Sequence, residues 1–187
     1  MGARSVRQLR QNNAPIVCVL PAFGRNGLLP EGEHLCQWPE FALRFGGTPD
    51  NGRRRTQTLG LARMLLLLTE AGCRVAFVDG SFVTRERWPK DFDVCYEEED
   101  MDLDLLHPIL KDVSLGRAAQ KRFFAGEALP ANYPFDRSGR TMREAFARTR
   151  EGNAKGLVRM ELETVQTQMA EWLEQGEQGG THGATGG

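Results

Sequence analysis

The chain has 187 residues, of which 40% are hydrophobic, and its formal net charge is −1 at pH 7. This length predicts one compact domain with a real core, and the near-neutral charge argues against a dedicated nucleic-acid-binding protein, whose surface is usually basic. Because the four cysteines are scattered and no apolar run approaches the roughly 20 residues of a membrane span, we expect a cytoplasmic protein with reduced thiols and no membrane contact.

The sequence divides into an arm, a domain and a tail. Residues 1–14 carry arginines at helical spacing with almost no apolar partners, which predicts a flexible basic arm. Residues 176–187 are rich in glycine and lack core-forming side chains, which predicts a disordered tail. We expect residues 15–175 to form the single domain between them.

The first half of this domain predicts one strand and two helices. The β-branched run at 15–20 indicates a strand, and the Gly- and Pro-rich stretch at 21–34 indicates an irregular loop. Apolar residues at helical spacing predict a short helix over 38–45. We expect a longer helix to run from an N-cap at Thr56 to Glu70, and its leucine cluster predicts that it is the most buried helix of the chain.

Patterns in the second half of this domain predict most of the strands of the sheet. Short apolar runs predict three strands, at 73–78, 92–96 and 123–129. The acidic run at 97–104 indicates a solvated loop that leads into a helix. Residues 156–162 predict either a last strand or the start of a helix over 161–175. The arginine-rich stretch 137–150 is typical either of a contact for an RNA backbone or of an ordinary amphipathic surface helix.

The segment 77–97 contains the pattern with the clearest chemistry. A strand leads into Gly80 and Ser81, and a short connection then leads into a second strand with Asp91 and Asp93. Because successive strand residues face opposite sides, the two aspartates project together, as oxygen ligands for Mg²⁺ or Mn²⁺ do. Gly80 allows the backbone to approach a phosphate, and Ser81 adds a hydroxyl. This pattern predicts a nucleoside triphosphate at the turn and a divalent metal at the aspartates.

A third carboxylate and several polar side chains would complete such a site. Glu127, on the strand predicted at 123–129, is the first choice for a carboxylate that binds metal and orients the acceptor, and Glu161 and Glu163 are alternatives. Asp79 lies too close to the turn to be assigned a catalytic role. The connection supplies the side chains expected to contact phosphate, namely Thr84, Arg85, Arg87 and Lys90. Each part of this pattern also has an alternative without function: Gly80 and Ser81 as an ordinary turn, Asp91 and Asp93 as a chance pair, and the connection as a solvated loop.

At these residues the sequence resembles the nucleotidyltransferase superfamily, whose signature is Gly-Ser or Gly-Gly followed about ten residues later by a strand with Asp-x-Asp. It is more closely similar to small bacterial nucleotidyltransferase-like proteins with a Pro-rich opening loop and an Asp-Gly-Ser-Phe-Val-Thr block, matched here by 20–34 and 79–84. The resemblance covers about 16–163. It implies a minimal nucleotidyltransferase fold of the α/β (α+β) class, with a small mixed sheet flanked by helices.

The resemblance also implies a relation to abortive-infection and toxin–antitoxin nucleotidyltransferases. The expected activity is Mg²⁺-dependent transfer of a nucleoside monophosphate from a nucleoside triphosphate to an RNA end or a protein hydroxyl, in phage defence or beside a cognate partner protein. The alternative is a catalytically inactive module of the same fold that binds nucleotide, RNA or a partner protein.

Overall fold

The computed structural model of the protein describes residues 20–48 and 50–178, with side chains as far as residue 174. The arm expected at 1–14 lies outside these residues, as does the strand expected at 15–20 except for Leu20. Of the expected tail, residues 179–187 lie outside as well. A search of the described helices found none that is both long and apolar enough to cross a membrane.

A mixed sheet lies at the centre of the described chain. Its five strands within these residues are β1 (Gly32–Leu35), β2 (Val75–Asp79), β3 (Phe92–Tyr96), β4 (Gly126–Pro130) and β5 (Gly156–Glu161). The order across the sheet is β1-β5-β2-β3-β4. The pairs β1–β5 and β3–β4 are parallel, whereas β5–β2 and β2–β3 are antiparallel. The expected mixed α/β class with a small mixed sheet is therefore confirmed.

Helices cover the two faces of this sheet unequally. The helices of the described chain are α1 (Trp38–Phe45), α2 (Gly52–Glu70), α3 (Pro108–Lys111), α4 (Ala118–Phe124), α5 (Met142–Phe146) and α6 (Leu162–Gln178). The large core contains residues of α1, α2, α4 and α6 together with Val78 and Val94 of the sheet. The opposite face carries a smaller cluster under α5, which includes Phe77, Cys95 and Leu157. We call the first the helix face and the second the α5 face.

This unequal cover follows from strand alternation. Val78 and Val94 point to the helix face, so their sequence neighbours Phe77 and Cys95 point to the α5 face. Residues two positions from Phe77 and Cys95 share that second face. They are Asp79 and Asp93, so both carboxylates project from the α5 face.

The start of α2 corrects one prediction. Thr56 is not the N-cap, because the helix begins at Gly52 and the Asn51 side chain accepts a hydrogen bond from the N–H of Arg54 at 3.2 Å. Thr56 lies inside the first turns and donates its hydroxyl to the carbonyl of Gly52. The run of three arginines from Arg53 therefore lies within α2. Arg54 of this run is buried and bonded to backbone carbonyls.

Strand boundaries correct further predictions. The loop expected at 21–34 ends in a strand, β1, which pairs with β5. Phe124 belongs to α4 and not to a strand, because Ala125 takes a left-handed conformation with φ of 61° and ends the helix. At 156–162 both readings are partly right, since β5 ends at Glu161 and α6 begins at Leu162. Helix α6 continues past the expected domain end at residue 175, as far as Gln178.

Candidate functional site

Three carboxylates lie in a row across neighbouring strands. Asp79 at the end of β2 pairs with Asp93 of β3 in the antiparallel register, and Asp93 pairs with Glu127 of β4 in the parallel register. All three project from the α5 face, because Leu129, two residues after Glu127, also belongs to the cluster under α5. Adjacent strands are about 4.8 Å apart, so this arrangement concentrates negative charge in a narrow strip. We call it the carboxylate row.

The acid of Asp93 has a strongly perturbed pKa. Burial is the largest cause, and the negative charges of Asp91, Glu127 and Asp79 add to it, so the pKa of Asp93 rises from 3.8 to about 7. A hydrogen bond with Glu127 acts in the same direction. The protonated carboxyl is therefore favoured until a cation compensates the surrounding charge. A strongly perturbed acid in such a cluster is typical of functional sites.

Gly80 packs directly against this acid. Its φ of 84° lies in the region that favours glycine, and a Cβ built on it would stand 2.6 Å from Oδ2 of Asp93. The Ser81 hydroxyl accepts a hydrogen bond from the N–H of Lys90 at 3.1 Å and lies 3.5 Å from the carbonyl of Asp91. The turn and the start of β3 are therefore joined, and the structure brings Gly80, Ser81, Asp91 and Asp93 close together. Asp91 lies directly before β3 and not within it, which corrects the prediction that both aspartates project from one strand.

The side chains of the connection between the turn and β3 line two different cavities. Lys90 lies with Asp91 and Lys121 around a groove of about 550 Å³ at the end of the sheet. Thr84 and Arg85 line a different cavity, formed with residues 25–28, and Arg87 lines it as well. The Thr84 hydroxyl donates to the carbonyl of Ser81 at 2.7 Å. Of the side chains expected to contact phosphate, only Lys90 therefore shares a groove with Asp91.

A buried arginine that the sequence reading missed holds this connection. Arg54 is 8% exposed, and its guanidinium donates to the carbonyls of Phe45 at 2.9 Å, Phe82 at 2.8 Å and Thr84 at 3.2 Å, and also to that of Glu86. Burial lowers the pKa of Arg54. We call this arrangement the carbonyl clamp. No periodicity marks one arginine among three as buried, so only the fold identifies it.

Two neighbours of Arg54 act in the same way. The Asn51 amide donates to the carbonyl of Arg87 at 3.0 Å, and the Gln57 amide donates to the carbonyl of Pro89 at 3.1 Å. The first turns of α2 therefore bind much of the backbone between the glycine turn and β3. The buried start of α2 and the hydrogen bonds of Ser81 together set where Ser81 and Asp91 meet.

Glu127 meets Asp93 but is also held by two cations. Arg117 donates through Nε and Nη2 to its two carboxylate oxygens at 2.9 Å, and Lys121 Nζ lies 2.9 Å from Oε2. Burial would raise the pKa of Glu127, but the hydrogen bonds from Arg117 and Lys121 outweigh it and lower the pKa. The sequence reading named neither cation. Among the described residues, no group of three or more His, Cys, Asp or Glu side chains is arranged to hold a metal ion.

Asp79 is the second acid with a cation partner. Lys155 Nζ lies 2.6 Å from both oxygens of Asp79, and both side chains are largely buried. Burial raises the pKa of Asp79, and the charge of Lys155 opposes that rise. The sequence reading set Asp79 aside because it adjoins the turn, but the structure places it inside the carboxylate row. Lys155, directly before β5, was missed as its partner.

The two alternative third carboxylates lie elsewhere. Glu161 pairs with Val75, at the opposite end of β2 from Asp79, and its carboxylate accepts a hydrogen bond from Arg159 at 2.8 Å. Glu163 is exposed in the first turn of α6, a helix on the other face of the sheet. Neither reaches the carboxylate row, so both alternatives are wrong in position.

Comparison with known proteins gives a family relation. No curated protein and no solved structure matches the chain. A family described only as one of unknown function, DUF6932, matches residues 21–161, a span that contains the carboxylate row, the glycine turn and the carbonyl clamp. Because this span covers most of the 187 residues, the chain belongs to the DUF6932 family.

Proposed function

We propose that the protein is a nucleotidyltransferase that moves a nucleoside monophosphate from a nucleoside triphosphate to a hydroxyl of RNA or protein. The observation that carries this proposal is the carboxylate row packed directly against the Gly80 turn. A glycine turn, whose backbone can contact phosphate, and acids with affinity for a cation are the two parts that such a reaction needs. The likeness of the sequence to nucleotidyltransferases supports the same reading.

The donor set fits a hard divalent cation. Asp91 and Asp93 would hold Mg²⁺ or Mn²⁺, since such a cation usually takes one or two carboxylates and completes its shell with substrate phosphates and water. The accumulated negative charge around Asp93 favours a bound cation. When bound, the cation would offset the charge of the triphosphate and polarise its α-phosphorus.

The chain itself would position the reactants. Gly80, which has no side chain, lets the Asp93 carboxylate pack against the turn, and the carbonyl clamp holds the connection between the turn and β3. Lys90 and Lys121 would attract the β- and γ-phosphates from the groove at the end of the sheet. Ser81 is engaged with the backbone of Lys90 and Asp91, so its role would be to hold the turn as well as to contact phosphate.

The transfer step balances without a further reactant. An acceptor hydroxyl oxygen attacks the α-phosphorus in line, a new O–P bond forms, and the P–O bond to pyrophosphate breaks. The hydroxyl proton passes to solvent water as the new O–P bond forms. Positioning of the two reactants beside the carboxylate row would contribute to the rate.

One observation favours a second function, that of a catalytically inactive module that binds nucleotide, RNA or a partner protein. Glu127, the expected third carboxylate, is engaged through both oxygens by Arg117 and Lys121. An acid neutralised in this way is less available to a metal ion or an acceptor hydroxyl. A role in phage defence or in a toxin–antitoxin pair, for either function, is supported by the sequence resemblance alone.

A labelling experiment separates the two functions. The wild-type chain would be incubated with each α-labelled nucleoside triphosphate, Mg²⁺, and total RNA and protein, beside Asp93→Ala and the exposed control Asp104→Ala. Label that enters RNA or protein with wild type and Asp104→Ala, but not with Asp93→Ala, supports transfer. Mg²⁺-dependent binding without transfer supports the binding module. If wild type binds no triphosphate, both nucleotide functions are wrong.

A further inference from the structure

A cavity of about 430 Å³ lies on the α5 face, beside the carboxylate row. Part of its lining comes from β1, β5 and the segment before β5, and part comes from α5 and the residues that follow it. Its lining includes Glu33, Arg143, Ala147, Arg148, Lys155 and Leu157. Its volume is within the range of small-molecule binding sites, which is about 300–1,000 Å³.

The cavity adjoins the carboxylate row through the buried pair of Lys155 and Asp79. Val158 pairs with Val78, so Leu157 stands beside Asp79 at the next position of the register. Lys155 lines the cavity and also binds the Asp79 carboxylate. Since neighbouring strands are about 5 Å apart, the cavity floor at Leu157 lies about 5 Å from Asp79 and about 10 Å from Asp93 across the sheet.

The walls of the cavity are chemically mixed, and hydrogen bonds hold their arginines. Arg143 donates to Glu33 at 2.8 Å through Nε, to Glu97 at 3.2 Å through Nη1, and lies 4.3 Å over the ring of Phe77. Arg148 donates to the carbonyl of Gly152 at 3.0 Å. Leu157 and Ala147 add apolar surface to the same lining. A lining that combines planar guanidinium groups with apolar surface suits a flat heteroaromatic ring with polar edges.

We infer that this cavity receives the base and ribose of the nucleoside triphosphate, with the phosphates directed past Asp79 to the Gly80 turn. The inference rests on the proposed function and names the part of the substrate that the carboxylate row does not hold. The gap of one to two strand spacings, about 5–10 Å, is one that a ribose and its 5′-oxygen would bridge. Lys155, between the two regions, would then lie near the α-phosphate.

The test compares nucleotides with a ligand that has no nucleoside. Binding of the Mg²⁺ complexes of ATP, GTP, CTP, UTP and inorganic tripolyphosphate would be measured by titration calorimetry for wild type, Ala154→Trp, Arg148→Ala and Ala170→Trp. Ala154 is exposed at the cavity and would fill it as tryptophan, whereas Ala170 lies on α6 at the helix face and serves as the control. Thermal unfolding of each variant reports whether it folds.

We expect wild type to bind at least one nucleotide about tenfold or more tightly than tripolyphosphate. Ala154→Trp should remove that advantage and leave tripolyphosphate binding within about twofold, Arg148→Ala should weaken the same nucleotide, and Ala170→Trp should change neither. The cavity assignment is overturned, while the proposed function stands, if a folded Ala154→Trp or Arg148→Ala variant loses affinity for nucleotide and tripolyphosphate equally. It is also overturned if such a variant loses no affinity for the nucleotide. Absence of binding of any ligand to wild type overturns both.

Discussion

The carboxylate of Asp93 lies against the backbone of Gly80, so closely that a Cβ on residue 80 would stand 2.6 Å from Oδ2. Gly80→Ala should therefore displace the acid as well as strain a backbone with φ of 84°. We expect the free energy of unfolding to fall by about 1–3 kcal/mol and Mg²⁺-dependent triphosphate binding to be lost. Urea unfolding and calorimetry measure the two effects.

Gly139→Ala is the matched control for that substitution. Gly139 has a φ of 87°, and nothing lies within 4 Å of the Cβ position. It should reproduce the backbone strain without disturbing Asp93. If Gly80→Ala and Gly139→Ala lose stability equally and both retain binding, the contact between Gly80 and Asp93 has no role in the site.

Because of the carbonyl clamp, we expect substitution of Arg54 to lower the free energy of unfolding more than substitution of an exposed arginine does. Arg54→Ala removes a buried charged donor from four backbone carbonyls, which should lower the free energy of unfolding by about 2–4 kcal/mol. Arg54→Lys should retain only part of that stability, because an ammonium group does not reproduce the planar set of donors of a guanidinium group. Hydrogen exchange in segment 82–89 should accelerate in both variants. The neighbouring Arg55 is exposed, and Arg55→Ala with an equal effect would contradict the clamp.

The acid of Asp93 predicts a pH dependence of stability in metal-free buffer. Its pKa is about 7 in the folded chain against 3.8 for the free group, so the folded state binds the extra proton between these values. The contribution of Asp93 to stability is present below pH 4 and is lost as the pH rises through about 7. The free energy of unfolding of wild type relative to Asp93→Asn should therefore decline over that window.

Chemical unfolding at a series of pH values with a chelator measures that difference. Asp104→Asn, at an exposed position, should show no comparable trend relative to wild type. A wild-type stability that rises between pH 4 and 7 relative to Asp93→Asn would mean that Asp93 is not raised in pKa.

Because Asp79 and Lys155 form a buried ion pair, we expect a large coupling free energy between them. Lys155→Met leaves the Asp79 carboxylate buried without its cation and should cost about 3–5 kcal/mol, whereas the double variant Asp79→Asn with Lys155→Met should cost less than the sum of the single variants. A double-mutant cycle in urea measures the coupling. The exposed pair Arg74–Asp100 is the reference, for which about 0–1 kcal/mol is expected. Equal coupling in the two pairs would contradict the burial argument.

Several elements were predictable because their signals are local. The strand over 92–96, the helix over 38–45 and a short helix within the arginine-rich stretch 137–150 appear in the structure. The burial of Arg54 was not predictable, because most of its partners are backbone carbonyls about 30 residues ahead in the chain. Charge in a sequence indicates exposure on average, and Arg54 is an exception that only its partners explain.

Local patterns in the amino-acid sequence were enough to predict a glycine turn at Gly80 and a strand that carries Asp93, because strand alternation and glycine's freedom are local properties. Only the tertiary structure decided that Asp79 and Glu127 join Asp93 in one row, since strand order and register depend on how β2, β3 and β4 pair. It also decided that Lys155, Arg117 and Lys121 neutralise two of those acids. Buried carboxylates require partners, and those partners come from whichever segments the fold brings near.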